Sequence, residues 1–276
     1  MEQNKHQIII TPGLSNTNYW RDLYRYRELF FMLSWRDLKV RYKQTVIGIL
    51  WGILRPLLTM AILTFVFGRI ANLQAGSDKP YSLLVLAGLV PWQFFANATG
   101  ESSNSLVDNQ NLITKVYFPR IIIPLISTIT SFVDFLIAMG LYLLLMLLYG
   151  ITPTWKILLL PFFTMLIFLL SFGIGALLTA LNVKYRDFRY VLPFIIQIGL
   201  YISPVGYSTV AVPRNLGWLY SFNPMVGIID GFRWCLLGET PQDWWSIATS
   251  LALSLMMLAI GVSYFRKTEK KFADII

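Results

Sequence analysis

The amino-acid sequence predicts an all-α integral membrane protein. The expected architecture is six transmembrane helices, an amphipathic interface helix before them and a re-entrant segment before the last one. Two observations carry this prediction. Apolar residues make up 56% of the 276 residues and charged residues only 13%, against about 25% in soluble domains. The charges are also gathered into short runs, so most of the chain has no polar face to offer water.

Six apolar stretches are long enough to cross about 30 Å of hydrocarbon at about 1.5 Å per helical residue. The third exceeds this need, so we expect it to tilt, to bend near Pro124 or to project into water. The stretches run over about residues 46–67, 81–100, 121–150, 157–183, 190–209 and 246–265. The predicted organisation is a cytoplasmic leader over 1–45, a transmembrane domain over 46–265 and a basic tail over 266–276.

The distribution of Lys and Arg predicts which side of the membrane each loop faces, because basic loops resist translocation. With six spans both termini share one side, and that side collects seventeen of the 23 basic residues against five on the other. Residues 1–20 contain neither a long apolar run nor the small-residue cleavage site of a signal peptide. We therefore expect both termini in the cytoplasm and the first span as the targeting signal.

Residues 20–43 are expected to form the interface helix. Their charged side chains fall within one quarter of the helical wheel and apolar ones occupy the other side, which is typical of a helix lying on the cytoplasmic leaflet. Each basic residue near anionic lipid contributes about 1 kcal/mol there. Simple anchoring of the chain is an equally weighted alternative. The charged set is Arg21, Arg25, Glu28, Arg36, Lys39 and Lys43, and the apolar set is Leu23, Tyr26, Phe30, Leu33 and Val40.

The segment over 204–243 is unusual for an outer loop, because it carries four prolines and is still largely apolar. Its uncharged run over 215–229 is too short to span the membrane but long enough for two half-helices that dip into it. Irregular backbone at that depth is tolerated only where protein or a water-filled cavity satisfies its amides. We therefore predict a re-entrant element beside a pathway.

The inventory of reactive side chains excludes most enzymes. The single histidine, His6, and the single cysteine, Cys235, rule out disulfides within the chain, zinc clusters, Cys–His pairs and Ser–His–Asp triads. A Gly-Lys dipeptide does not occur, which excludes a Walker A phosphate loop. The composition favours a conduit, an anchor or a transporter subunit.

Arg55 lies about nine residues into the first span and is followed by Pro56. A charge inside a span is unfavourable by about 2.5–3.5 kcal/mol, so Arg55 must face protein, an anion or water. Asp134 lies near the middle of the third span and is a candidate partner. Two hypotheses stay open: an Arg55–Asp134 pair that fixes helix register, and an Arg55 that faces a hydrated path for a polar or anionic substrate.

The loop between the second and third spans reads ESSNSLVDNQNLITKVYFPR. Apolar residues after its polar start predict a short amphipathic helix, which Pro119 ends. Short helices with a few apolar anchors in a polar rim are natural docking surfaces for partner proteins. Packing against the chain's own helix ends is the alternative.

Aromatic side chains make up 15% of the chain. Rings at helix ends are typical of the aromatic belt at the membrane interface. Trp51, Tyr201, Tyr207 and Trp218 lie within or beside the suspected pathway, where the CH faces of a sugar can pack on a ring face. The sequence leaves both interpretations open.

Five strings stand out in this order: LKVRYKQTVIGILWGILRPLLTM, LAGLVPWQFF, ESSNSLVDNQNLITKVYFPRIIIPL, LNVKYRDFRYVLPFIIQIGLYISPVGYS and FNPMVGIIDGFRW. Together they resemble the ABC-2-type permease subunits of bacterial polysaccharide ABC exporters. This family includes O-antigen (Wzm-like), capsule (KpsM-like) and teichoic-acid (TagG-like) export permeases. The resemblance covers about residues 20–265, and agreement of several ordered segments is far more specific than any one motif.

The resemblance implies a homodimer in the bacterial inner membrane, associated with two copies of a separate ATPase subunit that binds ATP and Mg. It implies no catalytic residue, metal ligand or cofactor in this chain and no nucleic acid among its partners. The implied cargo is a glycan on a polyprenyl diphosphate embedded in membrane lipid, and the first and fifth helices line the path. The implied channel lining is Trp51, Arg55, Tyr201 and Tyr207, and the lipid-diphosphate entrance is Arg36, Lys39, Arg41 and Lys43. The implied ATPase-coupling residues are Asn109, Leu112, Ile113, Thr114, Lys115, Val116 and Tyr117, and the outer gate maps to about 206–240.

The expected function is thus the channel-forming permease of an ATP-driven exporter of an O-antigen-like glycan. A teichoic-acid or capsule cargo is the alternative within the class. An ion-driven secondary transporter would favour several midplane carboxylates or inverted repeats, whereas only Asp134 fits. A glycan-assembling enzyme would need an acid/base or metal cluster that the sequence does not offer.

Overall fold

The computed structural model describes residues 19–43, 48–71, 79–213, 217–239, 243–269 and 272, and every regular element within them is a helix. Residues 1–18 of the predicted leader and most of the basic tail lie outside the described residues. The α-helices are α1 (Tyr19–Arg25), α2 (Arg27–Lys43), α3 (Gly48–Leu63), α4 (Tyr81–Asp108), α5 (Gln110–Lys115), α6 (Ile122–Leu148), α7 (Leu160–Lys184), α8 (Phe188–Ile202), α9 (Gly217–Tyr220), α10 (Pro224–Leu237) and α11 (Trp244–Glu269). A π-helical segment, Thr64–Ile70, continues α3, and 3₁₀ turns occupy Trp155–Leu159 and Thr209–Ala211.

Five of the helical segments are long and apolar enough to cross a membrane. They correspond to the first, second, third, fourth and sixth predicted spans. The fifth prediction, 190–209, is not confirmed as a span, because α8 has only 15 residues and ends at Ile202. Fifteen helical residues extend about 22 Å, which is less than the hydrocarbon thickness of about 30 Å. The five segments are Leu50–Ile70, Tyr81–Asp108, Ile122–Leu148, Trp155–Lys184 and Trp244–Glu269.

Pro124 lies in the first turn of α6. The helix starts at Ile122 and runs for 27 residues. A proline there sacrifices no intrahelical hydrogen bond, because the first backbone N–H groups of a helix have no partner in any case. The position of Pro124 gives no reason for a bend, and all three expectations for this long span stay predictions.

The main core surrounds α4, which packs against α3, α6, α7, α8 and α10. Phe94 of α4 is 2% exposed, and its ring centroid lies 5.4 Å from that of Phe135 and 6.3 Å from that of Phe168. On the far side, α7 and α11 approach so closely that a Cβ added to Gly261 would lie 1.9 Å from the carbonyl oxygen of Gly173. Small residues allow this backbone contact, as is common between membrane helices.

A second core lies at the end of the bundle where α1, α5 and the end of α11 meet. Buried Leu33, Ile113 and Phe265 belong to it. Within it the Glu269 carboxylate accepts hydrogen bonds from the Arg120 backbone N–H at 2.6 Å and the Tyr19 hydroxyl at 2.9 Å. The Arg120 side chain in turn donates to the Glu269 carbonyl at 2.7 Å. We call Tyr19, Arg120 and Glu269 the clasp, since it joins α1, the loop after α5 and α11.

The predicted outer segment contains a short helix and a longer one, α9 and α10. Twelve of the fourteen residues of α10 are buried, which explains the apolar character of this stretch. The side-chain oxygen of Asn223 caps its start by accepting from the Met225 N–H at 3.0 Å, Pro224 follows, and Gly238 ends it with φ of +74°. The helices are present, whereas the re-entrant path through the membrane stays a prediction.

Candidate passage and coupling surface

A cavity of about 260 Å³ lies between α3, α4, α6 and the end of α2. Two predicted channel residues, Trp51 and Arg55, line it from α3, and both side chains are exposed. The opposite wall combines amides, carboxylates and phenyl rings, so the cavity offers both polar and apolar surface. Its other lining residues include Gln93, Phe94, Asn97, Glu101, Asp134 and Phe135.

An ion-pair network centred on Arg41 closes one edge of this cavity. Its guanidinium pairs with Glu101 of α4 and, at 2.7 Å, with Asp134 of α6. The Tyr42 hydroxyl also donates to Asp134, and the Ser131 hydroxyl donates to Glu101 at 2.9 Å. The network fixes the end of α2 against the bundle.

In this network the partner of Asp134 is Arg41. The ion pair of Asp134 among the described residues is with this side chain, so the predicted Arg55–Asp134 pair does not form. Burial lowers the pKa of Arg41, but the Glu101 and Asp134 carboxylates outweigh it and raise the pKa above its usual range. Burial and the hydrogen bond to Asp134 likewise raise the pKa of Tyr42. Arg41 therefore keeps its charge, which two carboxylates of the chain compensate. The resemblance implies instead a cation at the lipid-diphosphate entrance.

Arg55 forms no ion pair with any described residue. Its guanidinium is therefore available to an anion or to water at the level of the cavity.

The other predicted entrance cations lie on the surface of α2. Arg36, Lys39 and Lys43 are exposed. Arg36 pairs with Asp37 at 2.8 Å, and the ammonium of Lys39 lies 5.4 Å from the ring centroid of Trp35. Large rings are exposed beside them, with Phe31 at 67% and Trp35 at 62%. Exposed rings next to basic side chains are typical of a helix at a membrane surface.

Tyr201 and Tyr207 lie away from the cavity that Trp51 and Arg55 line. Tyr201 is 58% exposed on α8. The Tyr207 hydroxyl donates to the carbonyls of Tyr201 and Ile202 and bonds the Tyr220 hydroxyl at 2.9 Å. It thereby satisfies carbonyls at the end of α8. The four predicted channel residues thus form two separate pairs: Trp51 and Arg55 line the cavity, and Tyr201 and Tyr207 lie away from it.

The predicted coupling loop does fold into a short helix, α5. Asn109 precedes it, and its side-chain oxygen accepts from Arg36 at 3.4 Å. Ile113 is buried in the second core and Leu112 is half-buried, so this side of the helix packs on the chain itself. Thr114 and Lys115 at the end of α5 are exposed, as are Val116 and Tyr117 directly after it, with Tyr117 at 67%.

Arg233 is a structural residue that the sequence pattern did not single out. It is 3% exposed and donates to the carbonyls of Leu84, Val205 and Tyr207 at 3.3, 3.2 and 3.0 Å. Asp230, one turn earlier on α10, accepts from Thr209 at 3.3 Å. The i, i+3 spacing of opposite charges in an otherwise uncharged stretch was the available signal.

A second cavity of about 330 Å³ separates α4 from α8. Its walls carry the amides of Asn97 and Asn104 on α4 and of Gln197 on α8. Arg189, exposed at the start of α8, lies at its edge. Asn97 lines both cavities.

Known proteins resemble this chain over nearly its whole length. A model of the ABC-2 type transporter family matches residues 28–237. The O-antigen export system permease protein RfbA of Klebsiella pneumoniae is 28% identical over 253 residues, which cover 90% of this chain and 95% of that protein. The protein of the same name from Myxococcus xanthus is 28% identical over 258 residues, with 93% and 98% covered. The polysialic acid transport protein KpsM of Escherichia coli is 25% identical over 241 residues, with 85% and 91% covered.

Proposed function

Because the chain belongs to the ABC-2 type transporter family, we propose that it is the permease subunit of an ATP-driven exporter of a lipid-diphosphate-linked polysaccharide. The observation that carries the proposal is its nearly end-to-end alignment with two O-antigen export system permease proteins and a polysialic acid transport protein. Five candidate spans and an interior polar cavity are compatible with this role.

The motor is a separate subunit. The sequence holds no Gly-Lys dipeptide and therefore no Walker A loop. The exposed end of α5 and the two residues after it, from Thr114 to Tyr117, form the proposed docking surface for two copies of an ATPase that binds ATP and Mg. ATP binding can shift the permease between two arrangements only if the ATPase binds one of them better, and α5 is the contact through which it does so.

The path must be hydrated, because each unsatisfied hydroxyl of a sugar would cost several kcal/mol in hydrocarbon. In the proposed mechanism the diphosphate docks on the exposed cations Arg36, Lys39 and Lys43, and the lipid tail stays in the bilayer. The sugar chain then passes Trp51 and Arg55. Arg41 contributes by holding α2 in place through its ion pairs.

We propose that two copies of the chain enclose the passage in the bacterial inner membrane, with both termini in the cytoplasm. The exposed apolar side chains of α3 and α8 support the dimer, since a single copy leaves them uncovered. Lipid would cover whatever part of this surface the second copy leaves free. The apolar set on α8 includes Val191, Phe194, Ile195, Ile198 and Ile202.

The proposed cargo is O-antigen-like, since the O-antigen permeases align at 28% identity and the polysialic acid protein at 25%. A capsule or teichoic-acid glycan is the alternative. The family assignment gives no support to an ion-driven carrier.

Reconstitution tests the proposal. The chain and a Walker-bearing ATPase subunit from the same organism should co-purify in equal numbers, and liposomes containing both should move a lipid-linked glycan only with ATP and Mg. Replacing Lys115, Val116 and Tyr117 by Ala should leave ATP hydrolysis by the isolated ATPase unchanged and abolish export. The exposed Val210, on the opposite side of the predicted topology, provides the control substitution Val210→Ala. Glycan movement by the permease alone would overturn the proposal.

A further inference from the structure

A row of uncharged polar side chains runs along one face of α4. Gln93, Asn97 and Asn104 follow one another at spacings of four and seven residues, which keeps them on one side of the helix. They extend over about 16 Å at about 1.5 Å per residue. We call Gln93, Asn97 and Asn104 the amide row.

The amide row borders both cavities. Gln93 and Asn97 line the cavity of about 260 Å³ beside α3, and Asn97 and Asn104 line the cavity of about 330 Å³ beside α8. Across the second cavity, α8 contributes the amide of Gln197. The row therefore connects the two cavities along the length of one helix.

Two of its amides have no hydrogen-bond partner in the part of the chain that the structure describes. Asn104 is held in place, because its amide nitrogen donates to the Gly100 carbonyl at 3.2 Å and its oxygen accepts from Asn182 at 3.1 Å. Gln93 and Asn97 are half-buried and make no hydrogen bond to another described residue. A polar group inside an apolar span is unfavourable unless water or a ligand satisfies it. These two amides thus point to a space that holds water or a polar ligand.

We propose that the amide row is a track of hydrogen-bonding sites for the hydroxyl groups of a carbohydrate chain. This inference rests on the proposed function and adds α4 to the residues that meet the cargo. A side-chain amide both donates and accepts, so it can bond a hydroxyl in either sense. Each such contact is neutral and weak, and several weak sites in series allow a polymer to enter and to leave.

Three of the charged groups beside the first cavity are unavailable for this task. Arg41, Glu101 and Asp134 are engaged with one another at the edge of the first cavity. Hydrogen bonds to charged groups are stronger than neutral ones and would hold a passing sugar more tightly. The uncharged amide row can bind sugar hydroxyls weakly enough to release them again.

Gly100 provides a test that preserves the fold. It lines the second cavity between Asn97 and Asn104, and a Cβ there would meet no atom within 4 Å. Gly140 on α6 has the same open space and lines neither cavity, so it is a matched control. Leu is a better helix former than Gly, so both variants should fold. In liposomes with the ATPase, Gly100→Leu should reduce glycan export to the level without ATP, and Gly140→Leu should export at the wild-type rate.

Accessibility provides a direct readout of contact. Cys235 is the one cysteine of the sequence and is buried, so a Cys235→Ala background is free of other thiols. In it, Asn97→Cys should react with a charged, water-soluble thiol reagent, and a glycan stalled in the passage should slow that reaction. Leu255→Cys, at a 48% exposed position of α11 outside both cavities, should not respond to the glycan.

Asn97→Leu should lower the export rate about fivefold, the effect of one lost neutral hydrogen bond, and Asn97→Gln should restore part of it. Normal export by Gly100→Leu would overturn the amide track, as would an Asn97→Cys thiol that is unreactive or is not protected by glycan. A wild-type complex that exports no glycan at all would instead refute the proposed function, so the two failures can be told apart.

Discussion

The Arg41 guanidinium joins three helices, because it belongs to α2 and pairs with Glu101 of α4 and Asp134 of α6. Its two terminal nitrogens serve two different carboxylates, and the three side chains are between 26% and 35% exposed. Removing the cation leaves two neighbouring carboxylates without it. We expect Arg41→Met to lower the free energy of unfolding by about 1–3 kcal/mol, less than for a fully buried pair because water screens part of the charge.

Thermal unfolding of the purified protein in detergent measures this effect. Lys39→Met removes an exposed cation from the same helix and should stay within about 0.5 kcal/mol of the wild type. Arg41→Lys should not restore stability, because one ammonium cannot reproduce the planar, two-sided geometry of the guanidinium. Equal unfolding temperatures for Arg41→Met and Lys39→Met would contradict the structural role of the network.

Arg233 organises the backbone between α8 and α10. Its guanidinium satisfies three carbonyls, those of Leu84, Val205 and Tyr207, in a buried position. Arg233→Met would leave these carbonyls and the buried Asp230 without their cation. We expect a loss of about 3–5 kcal/mol in unfolding free energy, as for other buried charges that lose a partner.

Limited proteolysis and thermal unfolding should both register the loss, with new cleavage between α8 and α10. The exposed Arg69→Met serves as the comparison, since it also removes one Arg on the predicted outer side. A variant that unfolds and resists protease like the wild type would show that these carbonyls do not depend on Arg233.

At the residue scale the sequence showed that Arg55 and Asp134 are charges inside predicted spans, but it did not show which residues they contact. Partner choice depends on how helices distant in the chain are rotated against one another. Arg41 lies 93 residues from Asp134, and no periodicity links them. Spacing within one helix is the signal that sequence does carry, which is why α5 was found and the Arg41 network was not.

The clasp is a contact between elements. Glu269 at the end of α11 holds the backbone N–H of Arg120, which follows α5, and the hydroxyl of Tyr19 on α1. Movement of α5 therefore reaches α1 and α11 directly. We predict that Glu269→Gln weakens both hydrogen bonds by removing their charge, and that the complex then hydrolyses more ATP for each glycan exported.

The ratio of ATP hydrolysed to glycan exported in liposomes measures this coupling. Tyr19→Phe removes only the hydroxyl and should raise the ratio less than Glu269→Gln does. Thr268→Val, on the same turn, removes a hydroxyl that bonds within α11 and should leave the ratio unchanged. A ratio unaffected by Glu269→Gln would mean that the clasp plays no part in coupling.

Hydropathy predicted which stretches form helices, whereas the length of each helix depends on its contacts with neighbouring elements. The apolar pattern predicted 190–209 as one span, yet α8 ends at Ile202, because the chain then turns inward over buried Ser203 to Gly206 and Arg233 binds the carbonyls there. In the same way α4 extends to Asp108, eight residues past its predicted end, because its polar last turns pack on α7 through Ser102, Ser103 and Asn182. Hydropathy cannot register such contacts.

For the whole molecule, the number of crossings decides on which side each terminus lies. Five crossings would put the termini on opposite sides, and six would put them on the same side. The basic residues favour six, because seventeen of 23 then share the cytoplasmic side. We predict that α8 does cross, with the bilayer thinned around it or a second copy beside it, since mismatch costs only fractions of a kcal/mol per Å.

Cysteines placed on either side of α8 test this in the Cys235→Ala background. Tyr185→Cys before α8 and Val210→Cys after it replace exposed side chains, at 48% and 72%. In intact cells with a permeable outer envelope, an impermeant thiol reagent should label only Val210→Cys, and in inverted vesicles it should label only Tyr185→Cys. Lys267→Cys, near the end of α11, should follow Tyr185→Cys. Labelling of both loop positions from one side would show that α8 turns back within the membrane, which would place the carboxyl terminus outside and remove α8 from the passage.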